Sequence, residues 1–574
     1  MAEEHIGTVF GAVGFVDTIT RRIKEGFAYW HRIQSSNQSI IDFKLLLNRQ
    51  EARFLYWAQE WGIEQILHNG DRNIRMHQAK FVVPYLQEIQ QITRQLNDDF
   101  NATLPTLGEN QNLGIMEMIA SQLPSSSVNP HASDKLSIIS TTPREKWHWT
   151  SQEKKFNDRM TQLKSLLDEL YMCFPIPKPD PVGPILYASS LRSQNPTTLA
   201  YVGHVADDPL ERGLALSKSL VYMPPSAQTR VSRLISAKLI DNTPSNEKLD
   251  KKSGKKLKRF VGTYDDRPVL VERKSSKVPQ NTISQMDAVN ARIENIVMRL
   301  QDESKPHQLR TLPCYGTTKD YSSAGAAGEW FITDYNIVYE IDSPTFFSLR
   351  QLVSQSNSNK SEPKDEKIRG VKTGISLGQR FIIAQTLASA VMCLHLADWL
   401  HKAIRSENIL FFGKDMAQAG YTLPYLVGFE YSRLDAPDER TEDIVDEDEY
   451  VYYRHPDAHF VPVADLQQPL GGAGRYSKVY DIYSFGVVLI ELGLFKSARS
   501  IVRTYMGPKA KLYGEAIKTV LLKEVITELK FYTGDVYASV ARVCLEGFFD
   551  KYDKDELPSA FSKYVVRPLS YCQV

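Results

Sequence analysis

Two stretches of this chain hold side chains whose types and spacing could do chemistry. The first is His401-Lys402-Ala403-Ile404-Arg405-Ser406-Glu407-Asn408, a polar loop that runs straight into the apolar Ile409-Leu410-Phe411-Phe412. A carboxamide oxygen such as that of Asn408 can hold a metal ion. The methyl group of Ala403 can neither take a proton nor orient a nucleophile. The second stretch is the opening segment, where Gly7, Gly11 and Gly14 fall on one helical face beside the apolar Phe10 and Val13. Small residues at this spacing let helices approach closely in lipid. Each glycine also costs a helix roughly 1 kcal/mol relative to alanine. Ile6 to Val16 is thus expected to be a weakly held helix that needs an apolar partner: the rest of a bundle in water, or another copy in lipid. Close packing inside a bundle accounts for the same glycines, and Asp17, Arg21 and Arg22 oppose insertion because mid-bilayer charge costs several kcal/mol.

Bulk properties narrow the remaining possibilities. A chain of 574 residues is too long for one core and implies several domains. Lys and Arg, 69 together, nearly balance 68 Asp and Glu, which argues against a nucleic-acid binder working through global charge. The five cysteines are scattered without a CxxC pair, so a reduced protein with no cysteine-built metal site is expected. The start, Met1-Ala2-Glu3-Glu4-His5, lacks the basic opening of a secretory signal. No run approaches the roughly 20 apolar residues of a membrane span. The expectation is a cytoplasmic protein that can be recruited to the plasma membrane.

The elements that must position these residues fall into two bodies and a joint. Val9, Val13, Val16, Thr20, Ile23, Phe27 and Trp30 follow a 4-3-4-3 spacing and predict one helix. Further helices are predicted over about 39–60 (Phe43, Leu46, Leu47, Phe54 and Trp57 apolar, Gly62 the stop), 73–100 and 151–174 (Phe156, Met160, Leu163, Leu166, Leu167, Leu170). A long loop should separate the last two, and the prolines from Pro175 to Pro181 end the set. Long amphipathic helices with one slack loop make a bundle, placed at 1–220. A linker at 221–258 ends in the basic run Lys251-Lys252-Ser253-Gly254-Lys255-Lys256-Leu257-Lys258-Arg259. Such a run is either solvated linker or a foothold on anionic lipid, worth on the order of 1 kcal/mol per cation. Beyond it, strands are expected at 268–271, 312–315 and 336–341 with a helix at 283–300 between the first two, then helices at 378–399 and 479–492.

The body from 259 to 574 resembles a protein kinase, with an N-lobe at 259–342 and a C-lobe at 343–574. His401 to Asn408 matches the family's His-Arg-Asp-x-x-x-x-Asn loop, with Ala403 at the position of the catalytic Asp. Asp481-Ile482-Tyr483-Ser484-Phe485-Gly486…Glu491 matches its D-x-x-S-x-G-x-x-x-x-E helix, whose Asp and Gly serve structure. The chemistry then fails position by position. Gly428-Phe429-Glu430 stands where Asp-Phe-Gly belongs, and Val269-Leu270-Val271-Glu272 puts an acid at the phosphate-pairing lysine. Lys274 lies on the same side of its strand and is the substitute lysine, with Glu294 as its partner. Lys274, Glu294, Asn408 and Glu430 are the remnants of a weak nucleotide site. His455-Pro456-Asp457 stands in for Ala-Pro-Glu. An acidic run at 442–449 falls in the activation segment, with Tyr450, Tyr452 and Tyr453 beside it as either phosphosites or packing residues.

The N-terminal body resembles the HeLo domain of fungal prion-inhibition and heterokaryon-incompatibility proteins. The resemblance is carried by the glycine-spaced first helix, by Asp42-Phe43-Lys44-Leu45-Leu46-Leu47…Arg53-Phe54-Leu55-Tyr56-Trp57…Trp61-Gly62-Ile63, and by Trp147-His148-Trp149…Phe156…Leu170. In that family the bundle can release its first helix into a membrane and kill the cell. The fold class expected is therefore an all-α bundle joined to an α+β bilobal kinase-like domain. The expected function is a switch in which a pseudokinase, not an enzyme, restrains a death-signalling bundle. An atypical active kinase and a non-catalytic interaction scaffold are the alternatives. No cofactor or metal is required, though the fold would leave room for ATP with magnesium. Protein partners, a bundle–pseudokinase contact, a homo-oligomer and an anionic membrane are the expected partners, and nucleic acid is not.

Overall fold

The protein is described from a computed structural model. It covers residues 16, 18–30, 38–61, 79–103, 143–176, 183–186, 191, 195–206, 208–222, 239–241, 258–275, 283–324, 329–355, 375–414, 420–435, 450–458, 476–510, 512–554 and 556–573. The chain divides into two compact units, Met1–Tyr222 and Met223–Val574.

The first unit is helical throughout its described length. Helix α1 (residues 18–30) leads into α2 (Gln38–Glu60), α3 (Ala79–Thr103) and α4 (Pro143–Cys173), followed by the short α5 (Gly183–Leu186), α6 (Pro196–Val205) and α7 (Pro209–Tyr222). The heptad-like stripe is the cause: Val16, Ile23, Phe27 and Trp30 of the first helix are buried with Phe43, Leu47, Phe54 and Trp57 of α2, and with Phe156, Leu163, Leu167 and Leu170 of α4. Trp30 sits at the centre, its ring 5.2 Å from Phe43 and 4.8 Å from Phe100. Leu46 departs from expectation at 38% exposed, while its neighbour Leu45 is buried. Helix α2 is covered on a second side, where Leu45, Asn48 and Arg49 meet Val202, Val205 and Ala206, and Leu46 lies on the side left open. The Gly62 stop, the 104–142 loop and the glycines 7, 11 and 14 with Phe10 and Val13 lie outside the described residues.

The second unit opens on a five-stranded antiparallel sheet in the order β1-β2-β3-β5-β4: β1 Leu239–Asp241, β2 Arg259–Tyr264, β3 Arg267–Ser275, β4 Cys314–Ala324 and β5 Glu329–Glu340. Asp265 and Asp266, both at positive φ, make the β2–β3 turn, a conformation that Asp tolerates better than most residues. Helix α8 (Ile283–Gln301) connects β3 to β4. Leu239–Asp241 pairs with β2, so this part of the expected linker belongs to the sheet. After β5 come β6 (Phe346–Ser348), α9 (Leu349–Gln355), α10 (Leu377–Leu396), β7 (Trp399–Leu400), β8 (Ile409–Phe412), β9 (Tyr425–Leu426) and β10 (Arg433–Leu434). The rest is chiefly helical, led by α11 (Lys478–Leu494), α12 (Ala498–Met506), α13 (Gly514–Val520), α14 (Ile526–Thr533) and α15 (Asp535–Leu545). Trp399, expected at the end of a helix, instead starts the short β7, paired with β10.

Helix α10 is long and apolar enough to cross a membrane, contrary to the sequence expectation that no such run exists. Its most apolar window is 56% buried. Arg380 within it donates to the carbonyls of Leu492 and Gly493 at 3.2 and 2.9 Å. These are the features of a core helix.

Candidate functional site

The loop His401–Asn408 is built from below by α11. Asp481, in the first turn of α11, accepts the backbone N–H groups of His401 and Lys402 at 2.8 and 2.9 Å and the Tyr476 hydroxyl at 2.9 Å. Lys402 has φ 65°, a left-handed conformation that costs a non-glycine residue about 1 kcal/mol or more. The Asp481 carboxylate holds it there. Burial alone would raise the Asp481 pKa, but the adjacent His395, with Nε2 at 3.6 Å, outweighs it and keeps the carboxyl below its ordinary range. His401 accepts the Ala403 N–H at Nδ1, 3.2 Å, and packs on Phe429. Burial pushes its imidazole down to about 4, so it is neutral at pH 7. Gly486, one turn and a half further along α11, lets α15 approach: an added Cβ would lie 2.8 Å from the Cβ of Cys544.

The far side of the loop meets the sheet. Asn408 donates from Nδ2 to the Ala403 carbonyl at 2.8 Å, and its Oδ1 accepts from Arg259 at 3.0 Å. Arg259, the first residue of β2, also donates to the Glu407 carbonyl at 3.0 Å. It pairs twice with Glu272 of β3, at 3.0 and 2.5 Å, across a register that sets the two residues opposite one another. The second Glu272 oxygen accepts the Tyr339 hydroxyl at 2.9 Å and the Gly428 N–H at 3.0 Å. Gly428 has φ 90°, and a Cβ there would stand 2.2 Å from Asn408 Nδ2, so this backbone conformation admits no side chain.

Glu430 lies 2.6 Å from Lys258 Nζ as an ion pair, without a well-directed hydrogen bond to either carboxylate oxygen. Burial would raise this carboxyl, but Lys258 overcomes it and holds the pKa at about 2. Lys274 donates to the Glu430 carbonyl at 2.9 Å and lies over the Tyr431 ring. The structure thus brings Lys274, Glu430 and Asn408 into one region. It does not pair Lys274 with Glu294, whose carboxylate goes to Lys319 of β4 at 3.3 Å. The acid expected to be a misplaced substitution, Glu272, is instead the centre of a hydrogen-bonded cluster. Arg259, read as the last residue of a basic run, is its main partner. A hint was available: Arg259 and Glu272 are equidistant from the Asp265-Asp266 turn, which predicts facing residues in a hairpin.

Among the described residues, no three His, Cys, Asp or Glu side chains gather as metal ligands. The donors expected to hold a nucleotide and its metal already have protein partners: Asn408 is bonded on both sides, Glu430 faces an ammonium, and position 428 has no carboxylate. This donor set does not fit a metal-bound triphosphate. Tyr450, Tyr452 and Tyr453 are buried. Tyr453 bonds Glu491 at 2.8 Å, and Tyr450 donates to the Lys402 carbonyl. They pack as the sequence allowed. His455 stacks on Tyr480 with ring centres 4.5 Å apart. The acidic run 442–449 lies outside the described residues.

In the first unit, the polar groups of functional interest hold α1 to α3. Trp30 donates to Asn97 Oδ1 at 2.7 Å, and Asn97 Nδ2 donates to the Gly26 carbonyl at 3.1 Å. Trp57 and Trp61 both donate to the Phe174 carbonyl, at 3.0 and 3.1 Å, tying α2 to the end of α4.

Residues 7–182 match the family model HeLo, described as prion-inhibition and propagation. The whole aromatic core, from Val16 to Ile176, falls inside the matched stretch. The N-terminal unit therefore carries a HeLo domain. No curated protein matches the chain.

Proposed function

We propose that this chain is a fungal cell-death or incompatibility signalling protein in which the HeLo bundle acts on membranes and a pseudokinase domain regulates it. The observation that carries the reading is the match of residues 7–182 to the HeLo model, described as prion-inhibition and propagation, which supports a signalling role of this kind for the first unit. For the second unit, support comes from a strand-rich part followed by a helical part, and from Asp481 holding the His401–Lys402 backbone as kinases hold their catalytic loops. With Ala403 in place of the base and Gly428 in place of the metal ligand, the unit works by binding and by shape rather than by phosphoryl transfer. Its partners are the bundle itself, further copies of the chain and an anionic bilayer, with action at the cytoplasmic face of the plasma membrane.

The segment that meets lipid is Ile6 to Val16, with Gly7, Gly11 and Gly14 as its packing face and Phe10 and Val13 beside them. The test is dye release from anionic vesicles by fragment 1–222. The fragment releases dye at micromolar concentration, and Gly7→Val with Gly11→Val lowers release while circular dichroism stays unchanged. A fragment that folds and releases none removes the membrane role.

A further inference from the structure

The seam between the sheet and the loop His401–Asn408 is unusual in its charge arrangement. Two carboxylates, Glu272 and Glu430, are almost completely buried there. Each is met by a cation from consecutive positions at the start of β2, Arg259 for Glu272 and Lys258 for Glu430. Arg259 reaches further, to the Glu407 carbonyl and Asn408 Oδ1 on the loop, and Glu272 reaches Gly428. A single planar guanidinium thus bridges a strand and a loop 148 residues away in the chain. Buried carboxylates need such partners, because an unpaired charge in this setting is strongly unfavourable.

We infer that Lys258 and Arg259 form a built-in cationic clasp that fills this seam, fastens the sheet to the loop without a ligand, and keeps out a nucleoside triphosphate and its metal. The clasp stands on the contacts alone; its bearing on nucleotide rests on the kinase-like reading above. A metal would have to displace the Lys258 ammonium from Glu430 and the Arg259 guanidinium from Asn408. Gly428 closes the alternative route, since its conformation leaves no room for a ligating side chain beside Asn408. Of the other charged groups at the seam, Lys274 is turned to the Glu430 carbonyl and the Tyr431 ring, and Arg405 pairs with Glu407 at 3.4 Å.

The test is a double-mutant cycle in the full chain, Arg259→Met and Glu272→Gln, read by chemical unfolding and by thermal shift with magnesium ATP. The clasp predicts that the double variant loses less than the sum of the singles, by roughly fivefold or more in the unfolding constant. It also predicts no saturable shift of the unmodified protein at millimolar magnesium ATP. Additive losses, or a saturable shift of the unmodified protein, overturn it. Should Arg259→Met fail to fold, Arg259→Lys takes its place in the cycle, keeping the charge but losing the fork of donors. Lys258→Met with Arg259→Met separates the two ideas. A gained nucleotide shift supports clasp and kinase-type site together. No gain, with the coupling intact, supports the clasp and counts against a kinase-type site.

Discussion

Gly428 and His401 show how far single residues fix the character of the second unit. Restoring the missing acids by Ala403→Asp and Gly428→Asp should not yield a phosphotransferase, because the second substitution drives a Cβ to 2.2 Å from Asn408 at φ 90°. Gly428→Asp alone should lower stability by about 2 kcal/mol or more, read by chemical unfolding of residues 223–574. His401 gives a pH dependence. Burial lowers its folded pKa to about 4, below the 6.5 expected of the unfolded chain, and the buried His395 is shifted the same way. For these two histidines the unfolded state then binds more protons, so the stability they contribute is present above pH 6.5 and falls as the pH drops toward about 4, while the buried Glu491 carboxyl, pushed up to about 7, works in the opposite sense over the same window. The loss for His401 is at most on the order of 3 kcal/mol, and His401→Gln should flatten that part of the profile. Glu430, held at about 2, keeps its pair with Lys258 through the same window.

At the scale of elements, α1 is the part of the bundle with a nameable latch. Asn97 satisfies the buried Trp30 indole and the Gly26 carbonyl together. Asn97→Leu strands both groups and should cost fragment 1–222 about 1–3 kcal/mol. Amide exchange over residues 18–30 should rise more than exchange in α4. Helix α2 carries the opposite kind of feature, a buried Lys44 whose pKa burial lowers to about 7. Folding therefore releases a proton between about pH 7 and 10.5, and the stability of the fragment should rise across that window. Lys44→Met should remove that rise. Most helices were legible from apolar spacing, since Phe27, Trp30, Phe54, Trp57, Phe156 and Leu163 share one core. The strand Leu239–Asp241 was not, because three residues in a polar stretch carry no period and only pairing with β2 defines them. The clasp stayed hidden for a related reason: Lys258 and Arg259 read as solvated charge until the β2–β3 register and the return of the loop bury their partners. Asp481 and the His401 loop were legible because short local spacing encodes them.

For the whole molecule, the proposed function pairs a HeLo bundle that acts on lipid with a second unit whose loop is anchored by Asp481 and whose seam is filled by Lys258 and Arg259. On that proposal the second unit reports a signal through what binds it or moves it. The bundle alone should then be more active than the chain that contains its regulator. Loosening α1 by Asn97→Leu should push the full chain toward the fragment. The most direct measurement is the rate of dye release from anionic vesicles by equal concentrations of fragment 1–222 and the full chain, both checked for folding. Faster release by the fragment is expected, with a rate for the full chain that rises with Asn97→Leu. Equal release by fragment and full chain, or none by either, would contradict the proposed function.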